Sequence, residues 1–364
     1  MIQRGVVIGG GGTGGHLFPA LAVARRIREL RPGLPIVFVG GRRRIESGIL
    51  KDTGFEFVAI RIEGLLGRGW KSLRSLVQLP VSMVQALVLL ARRRPRLVIG
   101  TGGYSSGPVV LPAALLRIPT LILEPNVRPG FTNRLLRPWV RKAAVAFEES
   151  LPYFKGKAVV LGNPVRAEFE NLSAARTNGP FTLLIFGGSQ GSAFLNETVA
   201  AALPLLAGRK DGLRIMHQTG DRDLARIRER YQELGFKDAG VAPFFADMPE
   251  RFRRADLIVS RAGATTCAEL IAAGRAAVLV PFAGAAEGHQ LRNARALEKA
   301  GAAVVLEEKN CTAAVLAETI LGLAADRGAI AAVESKLAAL RRPGAADRIA
   351  RLCLDLMDRT DGEE

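Results

Sequence analysis

Residues 6–27 read VVIGGGGTGGHLFPALAVARRI, a run that few folds accommodate. Val6, Val7 and Ile8 are β-branched and predict a short buried strand. Glycines follow at positions 9, 10, 11, 12, 14 and 15, and after Pro19 the apolar residues Leu21, Ala22, Ala24 and Ile27 recur at helical spacing. Glycine lets backbone N–H groups approach a ligand without a side chain in the way, and a helix starting there adds its dipole, so the predicted occupant is an anion. Gly9, Gly11 and Gly14 satisfy G-x-G-x-x-G, a dinucleotide fingerprint that alone discriminates little. A tight turn without ligand is the alternative, for which six glycines are more than enough.

The same strand, glycine loop and helix recur. Leu97–Leu116 (LVIGTGGYSSGPVVLPAALL) repeats it, Thr182–Leu206 repeats it through Gly187–Ser192, and Leu257–Glu269 repeats it through Arg261–Gly263. Two such units about 175 residues apart, in a 364-residue chain too long for one comfortable core, predict an α/β protein of two Rossmann-like domains. The boundary is placed near Asn163, giving domains 1–163 and 164–342, followed by an amphipathic helix and polar tail at 343–364. Cys267, Cys311 and Cys353 match no metal or redox spacing and read as small core residues.

The second strand, Pro35–Gly40, ends on Gly41 and Arg42–Arg44, where an NAD enzyme would carry an acidic residue for the ribose. An NADP-dependent oxidoreductase therefore survives as an alternative. The net charge of +17 asks for an anionic partner. Residues 64–123 contain no Asp or Glu but eight Lys or Arg, and within them 70–91 is apolar and interrupted by Pro80. The reading is a docking patch for an anionic membrane surface, with Trp70, Leu73, Leu76 and Val77 inserting and Arg68, Lys71 and Arg74 meeting lipid phosphates. The alternative is a core helix with a basic edge. The segment is aliphatic and lacks interleaved stacking aromatics, which argues against nucleic acid. No signal peptide or spanning helix is read, so a cytoplasmic chain is expected.

Candidate ligand contacts cluster after the strands. Tyr104 follows Gly102 and Gly103, where it either touches a sugar or packs, and Glu124, Pro125 and Asn126 follow the strand at Thr120–Leu123. Asp221 and Asp223 either hold a divalent cation or, the favoured reading, cap a helix. N–H groups of Ala264, Thr265 and Thr266 face an anion, and Glu269 one turn on accepts from ribose hydroxyls. His289, Gln290 and Asn293 start a helix within reach of a sugar, or a merely solvated helix start.

The motifs GGGTGGHLFPALAVA (10–24), GTGGYSSGP (100–108), GNPVR (162–166), GGSQGS (187–192), RAGATTCAEL (261–270) and the run from His289 to Gly301 resemble, in order, those of the MurG family of glycosyltransferases. The resemblance implies the GT-B fold, two Rossmann-like domains facing across a cleft, with the final helix crossing back to the first domain. It implies transfer of N-acetylglucosamine from UDP-GlcNAc to undecaprenyl-pyrophosphoryl-MurNAc-pentapeptide, with no cofactor and no metal, at the cytoplasmic face of the plasma membrane. It implies donor contacts from Thr13, Gly14, Gly15, Asn126, Arg166, Ser189, Phe245, Ala264, Thr265, Thr266, Cys267, Ala268, Glu269 and Gln290. The family usually carries His-Glu-Gln-Asn where this chain has Leu123, Glu124, Pro125 and Asn126, which leaves the local acceptor contacts open.

The implied chemistry is inversion at the anomeric carbon by direct attack of the MurNAc 4-hydroxyl. His16 and Glu269 are the candidate catalytic residues. His16 has a suitable intrinsic pKa for the base, and the alternative is that it only bonds the acceptor pyrophosphate or caps the helix. Another GT-B UDP-sugar transferase with a lipid acceptor is the second functional expectation.

Overall fold

The computed structural model of the chain describes residues 4–11, 14–41, 50–51, 53–62, 70–172, 179–236 and 239–361. It divides into two compact units, Met1–Val165 with Gly344–Glu364, and Arg166–Pro343.

Among the described residues the first unit holds seven strands: β1 (Val6–Gly9), β2 (Ile36–Gly40), β3 (Glu56–Ala59), β4 (Leu97–Gly100), β5 (Thr120–Glu124), β6 (Lys142–Val145) and β7 (Ala158–Val160). They pair in parallel in the order β3-β2-β1-β4-β5-β6-β7, with Val6 opposite both Ile36 and Leu97. Continuous apolar runs such as VVIG, IVFVG and TLILE suit strands covered on both faces, and every residue of these three is buried. The second unit repeats the plan with β8 (Phe181–Phe186), β9 (Leu213–Gln218), β10 (Gly240–Ala242), β11 (Leu257–Ser260), β12 (Ala277–Leu279) and β13 (Val304–Val305). Their order is β10-β9-β8-β11-β12-β13. In each sheet the direction of winding reverses, at β1/β4 and at β8/β11, and ligands bind beyond the carboxyl ends of the strands at such points.

The glycine run is partly a packing device. A Cβ on Gly10 would collide with the Thr101 hydroxyl, and one on Gly9 would lie 2.8 Å from Val109 Cβ. These two glycines let β1 sit against the segment after β4 and the helix Gly107–Leu115, rather than opening space for a ligand. The helix Gly14–Leu30 starts five residues before Pro19, earlier than the periodicity predicts. Pro19 falls in its second turn, where the missing N–H leaves only the Gly15 carbonyl without its helical donor.

The helix Ala345–Asp361 lies in the first unit, along Gly14–Leu30. Ile349, Ala350, Cys353, Leu356 and Met357 are buried in the core made with Val23, Ala24 and Ile27. Arg26 holds Asp347 at 2.6 Å, Arg31 grips Asp358 through two bonds of 3.0 and 2.8 Å, and Arg348 donates to the Leu161 carbonyl. All three cysteines are buried free thiols. No described helix is long and apolar enough to cross a membrane. Ile349→Ala is expected to lower stability by about 2–4 kcal/mol in urea denaturation, since it opens a cavity in this shared core.

Candidate active site

In the first unit the carboxyl edge at β1/β4 is formed by Gly9–Gly11 and the segment 101–106. Thr13 lies outside the described residues; Gly14 and Gly15 form the first turn of a helix with no acidic residue in that turn. His16, half-buried, packs on the Gly102–Gly103 backbone, where both glycines have positive φ (86° and 72°). A Cβ on Gly102 would stand 3.1 Å from His16 Cε1, so the loop's conformation and the imidazole's seat depend on the same residues. The Thr101, Ser105 and Ser106 hydroxyls are buried beside this seat without a hydrogen-bond partner among the described residues. Tyr104 is half-buried and packs against the core on that face of the sheet.

Glu124 is the hub of the next loop, not a ligand-facing group. It ends β5, is 2 % exposed, and its carboxylate accepts from Asn126 N (2.9 Å), Asn126 Nδ2 (3.1 Å), Gly130 N (2.9 Å) and Asn133 Nδ2 (2.9 Å). Burial pushes its pKa up while those bonds pull it back. Asn126 is thus held in place by Glu124 and, through its carbonyl, by the Ser150 hydroxyl at 2.9 Å. Leu123 is a core residue and Pro125 is buried.

In the second unit the loop after β8 carries Gly187–Ser192, with Ser189 exposed. Ser192 caps the helix Ala193–Leu206 by accepting from Leu195 N at 3.3 Å, and also accepts from Arg261 Nε at 3.0 Å. Arg261, buried just past β11, further donates to Val280 O (2.9 Å), pairs with Glu308 (2.6 Å) and has its guanidinium 5.4 and 5.5 Å from the ring centres of Phe194 and Phe282. The helix Ala264–Ala273 follows, with Gly263 at its N-cap, no side-chain cap and no acid in its first turn. Its first N–H groups, those of Ala264, Thr265 and Thr266, are therefore free for an anion. The Thr265 hydroxyl is buried with no partner among the described residues.

Glu269 is half-buried on this helix, and burial pushes its pKa up to about 7, opposed by the charge of Arg166. Arg166 is exposed, with its guanidinium 4.9 Å from the Phe169 ring centre. Gln290 accepts from Phe282 N at 3.0 Å. Cys267 and Asn293 do not face a ligand with their side chains: the thiol is buried, and Asn293, fully buried, donates to Ala262 O. The helix period puts Asn293 one turn from His289 on the same side, where the packing against the Ala262 segment buries it. The Phe245 ring is 6 % exposed and covered by Arg251.

One residue escaped the sequence reading. Gln218, buried at the end of β9, donates to Gly188 O (2.9 Å) and accepts from Phe245 N (2.7 Å), tying the glycine loop to the Phe245 segment. Its position at a strand's carboxyl end was the only available signal. Asp223 occupies the N-cap position of Leu224–Glu233, yet its carboxylate accepts from Asn196 instead of capping. Asn196 in turn contacts His217 Nε2 at 3.1 Å, and burial lowers His217 to a pKa of about 3.

Residues 6–145 match the model of the glycosyltransferase family 28 N-terminal domain, and residues 182–349 that of its C-terminal domain. The chain is 42% identical over 361 residues to the UDP-N-acetylglucosamine–N-acetylmuramyl-(pentapeptide) pyrophosphoryl-undecaprenol N-acetylglucosamine transferase of Myxococcus xanthus (strain DK1622), covering 98% of this chain and 94% of that one. The protein of the same name from Syntrophotalea carbinolica is 44% identical over 350 residues, covering 96% and 98%. The chain belongs to the MurG family. The crystal structure of Acinetobacter baumannii MurG superposes with a TM-score of 0.81 at 30% identity, over 97% of this chain and 99% of that one. The calicheamicin glycosyltransferase CalG4, TM-score 0.71 at 16% identity, shares the fold. The MurG-family chain is a GT-B glycosyltransferase, and the oxidoreductase alternative falls; Arg42–Arg44, on which it leaned, lie outside the described residues.

The raised pKa of Glu269 makes a signed prediction. The folded protein keeps a proton that the unfolded chain releases between the ordinary carboxylate range and about pH 7, so the stability cost of this group is absent in acid and fully present above pH 7. Glu269→Gln is expected to raise Tm more at pH 8 than at pH 5, measured by thermal denaturation at both.

Proposed function

We propose that this chain transfers N-acetylglucosamine from UDP-GlcNAc to the MurNAc 4-hydroxyl of undecaprenyl-pyrophosphoryl-MurNAc-pentapeptide, the lipid-linked step of peptidoglycan synthesis. The observation that carries the reading is similarity of 42–44% over nearly the whole chain to transferases bearing that activity in their names. In this reading residues 164–342 bind the UDP-sugar, residues 1–163 bind the acceptor and the membrane, and the helix in 343–364 completes the first domain. The uncapped start of Ala264–Ala273 supports a diphosphate held by Ala264, Thr265 and Thr266, with the Glu269 carboxylate accepting from the ribose hydroxyls. Arg166, Ser189, Phe245, Ala268, Gln290 and the backbone of Cys267 complete the donor contacts, and Thr13, Gly14, Gly15 and Asn126 reach the donor from the first domain's loops. Tyr104 stands beside the acceptor. Asn293 positions the Ala262 carbonyl and so acts through the loop.

The 4-hydroxyl oxygen bonds to the anomeric carbon as the bond from that carbon to the UDP phosphate oxygen breaks, inverting its configuration. UDP leaves with the electron pair, stabilised by helix N–H groups, and the hydroxyl proton passes to His16. The decisive assay is incubation with radiolabelled UDP-GlcNAc, or UDP-GalNAc as control, and the lipid-linked acceptor. Label is expected in the lipid product from UDP-GlcNAc; its absence defeats the reading. In that assay His16→Ala is expected to lower kcat about 10²- to 10⁴-fold with donor KM unchanged. A kcat within a few-fold of wild type reduces His16 to an acceptor contact.

The acceptor is a membrane lipid, so the enzyme works peripherally at the cytoplasmic face of the plasma membrane and needs no nucleic acid. Of the proposed docking residues, Arg68 lies outside the described residues. Trp70, Lys71, Leu73, Arg74, Leu76 and Val77 lie in the helix Trp70–Arg93, and their side chains are outside what is described. Further along that helix Val81, Val84, Leu87 and Val88 are 40–59 % exposed, at spacings that make one stripe. That stripe supports an extended docking face. Flotation with anionic liposomes is expected to show binding that falls with added salt and is weakened by Val84→Glu; salt-independent failure to float removes the docking face.

A further inference from the structure

The amino-terminal edge of the first unit's sheet, away from the glycine loops, carries a cavity of about 430 Å³. Segments leading into three strands and the last helix converge on it. Arg117 precedes β5, Arg141 precedes β6, Lys157 precedes β7, and Arg359 comes from Ala345–Asp361. Among the described residues no acidic side chain lines it. Ile118, Val140 and Leu356 give it an apolar floor, and Trp139, half-exposed, stands at its side.

Helix carboxyl termini favour cations, which accounts for a basic residue at any one of these turns. It does not account for four of them meeting over one cavity. Elsewhere in this unit arginines find carboxylates: Arg26 with Asp347, Arg31 and Arg96 with Asp358, Arg93 with Glu56. Around the cavity no carboxylate among the described residues pairs with Arg117, Arg141 or Arg359, and Lys157 Nζ meets the carbonyls of Pro138 (2.6 Å) and Arg137 (3.4 Å). Arg117 also sits in a left-handed conformation (φ 59°) at the end of Gly107–Leu115, its N–H on Ala114 O and the next on Ala113 O. Glycine is the usual residue for that position, so the side chain there is held at a backbone cost. Converging like charges repel, and an anion relieves them.

We propose that this cavity binds a phosphate-bearing amphiphile, with the phosphate held by Arg117, Arg141, Lys157 and Arg359 and the apolar part laid on Trp139 and Leu356. The proposal stands apart from the transferase reading, since the cavity lies at the opposite edge of the sheet from the His16 loop. A phospholipid headgroup and a soluble phosphate ester offer the same chemistry, and the experiment separates them.

Trp139 is one of two tryptophans in the chain, so in full-length Trp70→Phe protein its fluorescence reports on the cavity. The probes, at constant ionic strength, are monomeric dihexanoyl phosphatidylglycerol, dihexanoyl phosphatidylcholine and inorganic phosphate. The expected result is a saturable change with phosphatidylglycerol, little with phosphatidylcholine, and affinity about tenfold weaker in Arg141→Glu. Saturation by inorganic phosphate with equal affinity overturns the amphiphile, since the apolar part then adds nothing, and leaves a site for soluble phosphate. Arg117→Gly fits a φ of 59° and is expected to keep or raise Tm while weakening binding, which separates loss of charge from loss of fold. No saturable response to either anionic probe, an equal response to phosphatidylcholine, or unchanged affinity in both variants overturns the proposal.

Discussion

Parallel strands cannot be joined by a tight turn; each must be followed by a crossover, here usually a helix, before the chain returns to the sheet. That constraint gathers strand ends, helix starts and their unpaired N–H groups on one edge of each sheet. The loops crowded there must be held in place, and buried polar side chains at strand ends do it. Glu124 spends its carboxylate on the backbone and side chains of 126–133, Gln218 joins Gly188 to Phe245, and Arg261 ties Ser192 to Val280 and Glu308. Each such group would be costly if left unpaired, so each ties its loop to the strand end beneath it.

Glu269 follows a different rule. Burial raises its pKa to about 7, so above that pH the protein bears the desolvation of a carboxylate, which in the proposed function the ribose hydroxyls would relieve. His16 depends on backbone in a similar way, resting on two glycines whose φ values few other residues tolerate.

The glycine loops and the apolar strands that lead into them were legible because they are local, β-branched runs and glycine clusters within about twenty residues. The short strands β3, β6, β10 and β13 were not read, and the first helix starts at Gly14, ahead of the spacing read after Pro19. What was not legible depends on partners far away in the chain. Asn293 looked like a ligand contact from its place at a helix start, and its amide holds the Ala262 carbonyl, 31 residues earlier; Glu124 is the exception, its partners lying two to nine residues on. Asp223 had the position of a cap and was claimed by Asn196, 27 residues earlier. Gln218 gave only its place at a strand's carboxyl end, since its two partners lie 30 residues before it and 27 after it. The glycines were read as space for a ligand, and Gly9 and Gly10 proved to be filled by Val109 and Thr101.

The first unit is interrupted: its chain leaves at Val165 and resumes only at Gly344. Its core is closed by Ile349, Cys353 and Met357, which are synthesised after the whole of the second unit. During translation the second unit therefore has all its residues before the first does. The earlier-made half must wait, with the apolar face of Gly14–Leu30 uncovered, for the last segment to emerge. An enzyme assembled this way closes its first unit last, so a chain cut short after Pro343 would carry a complete second unit and an unclosed first one.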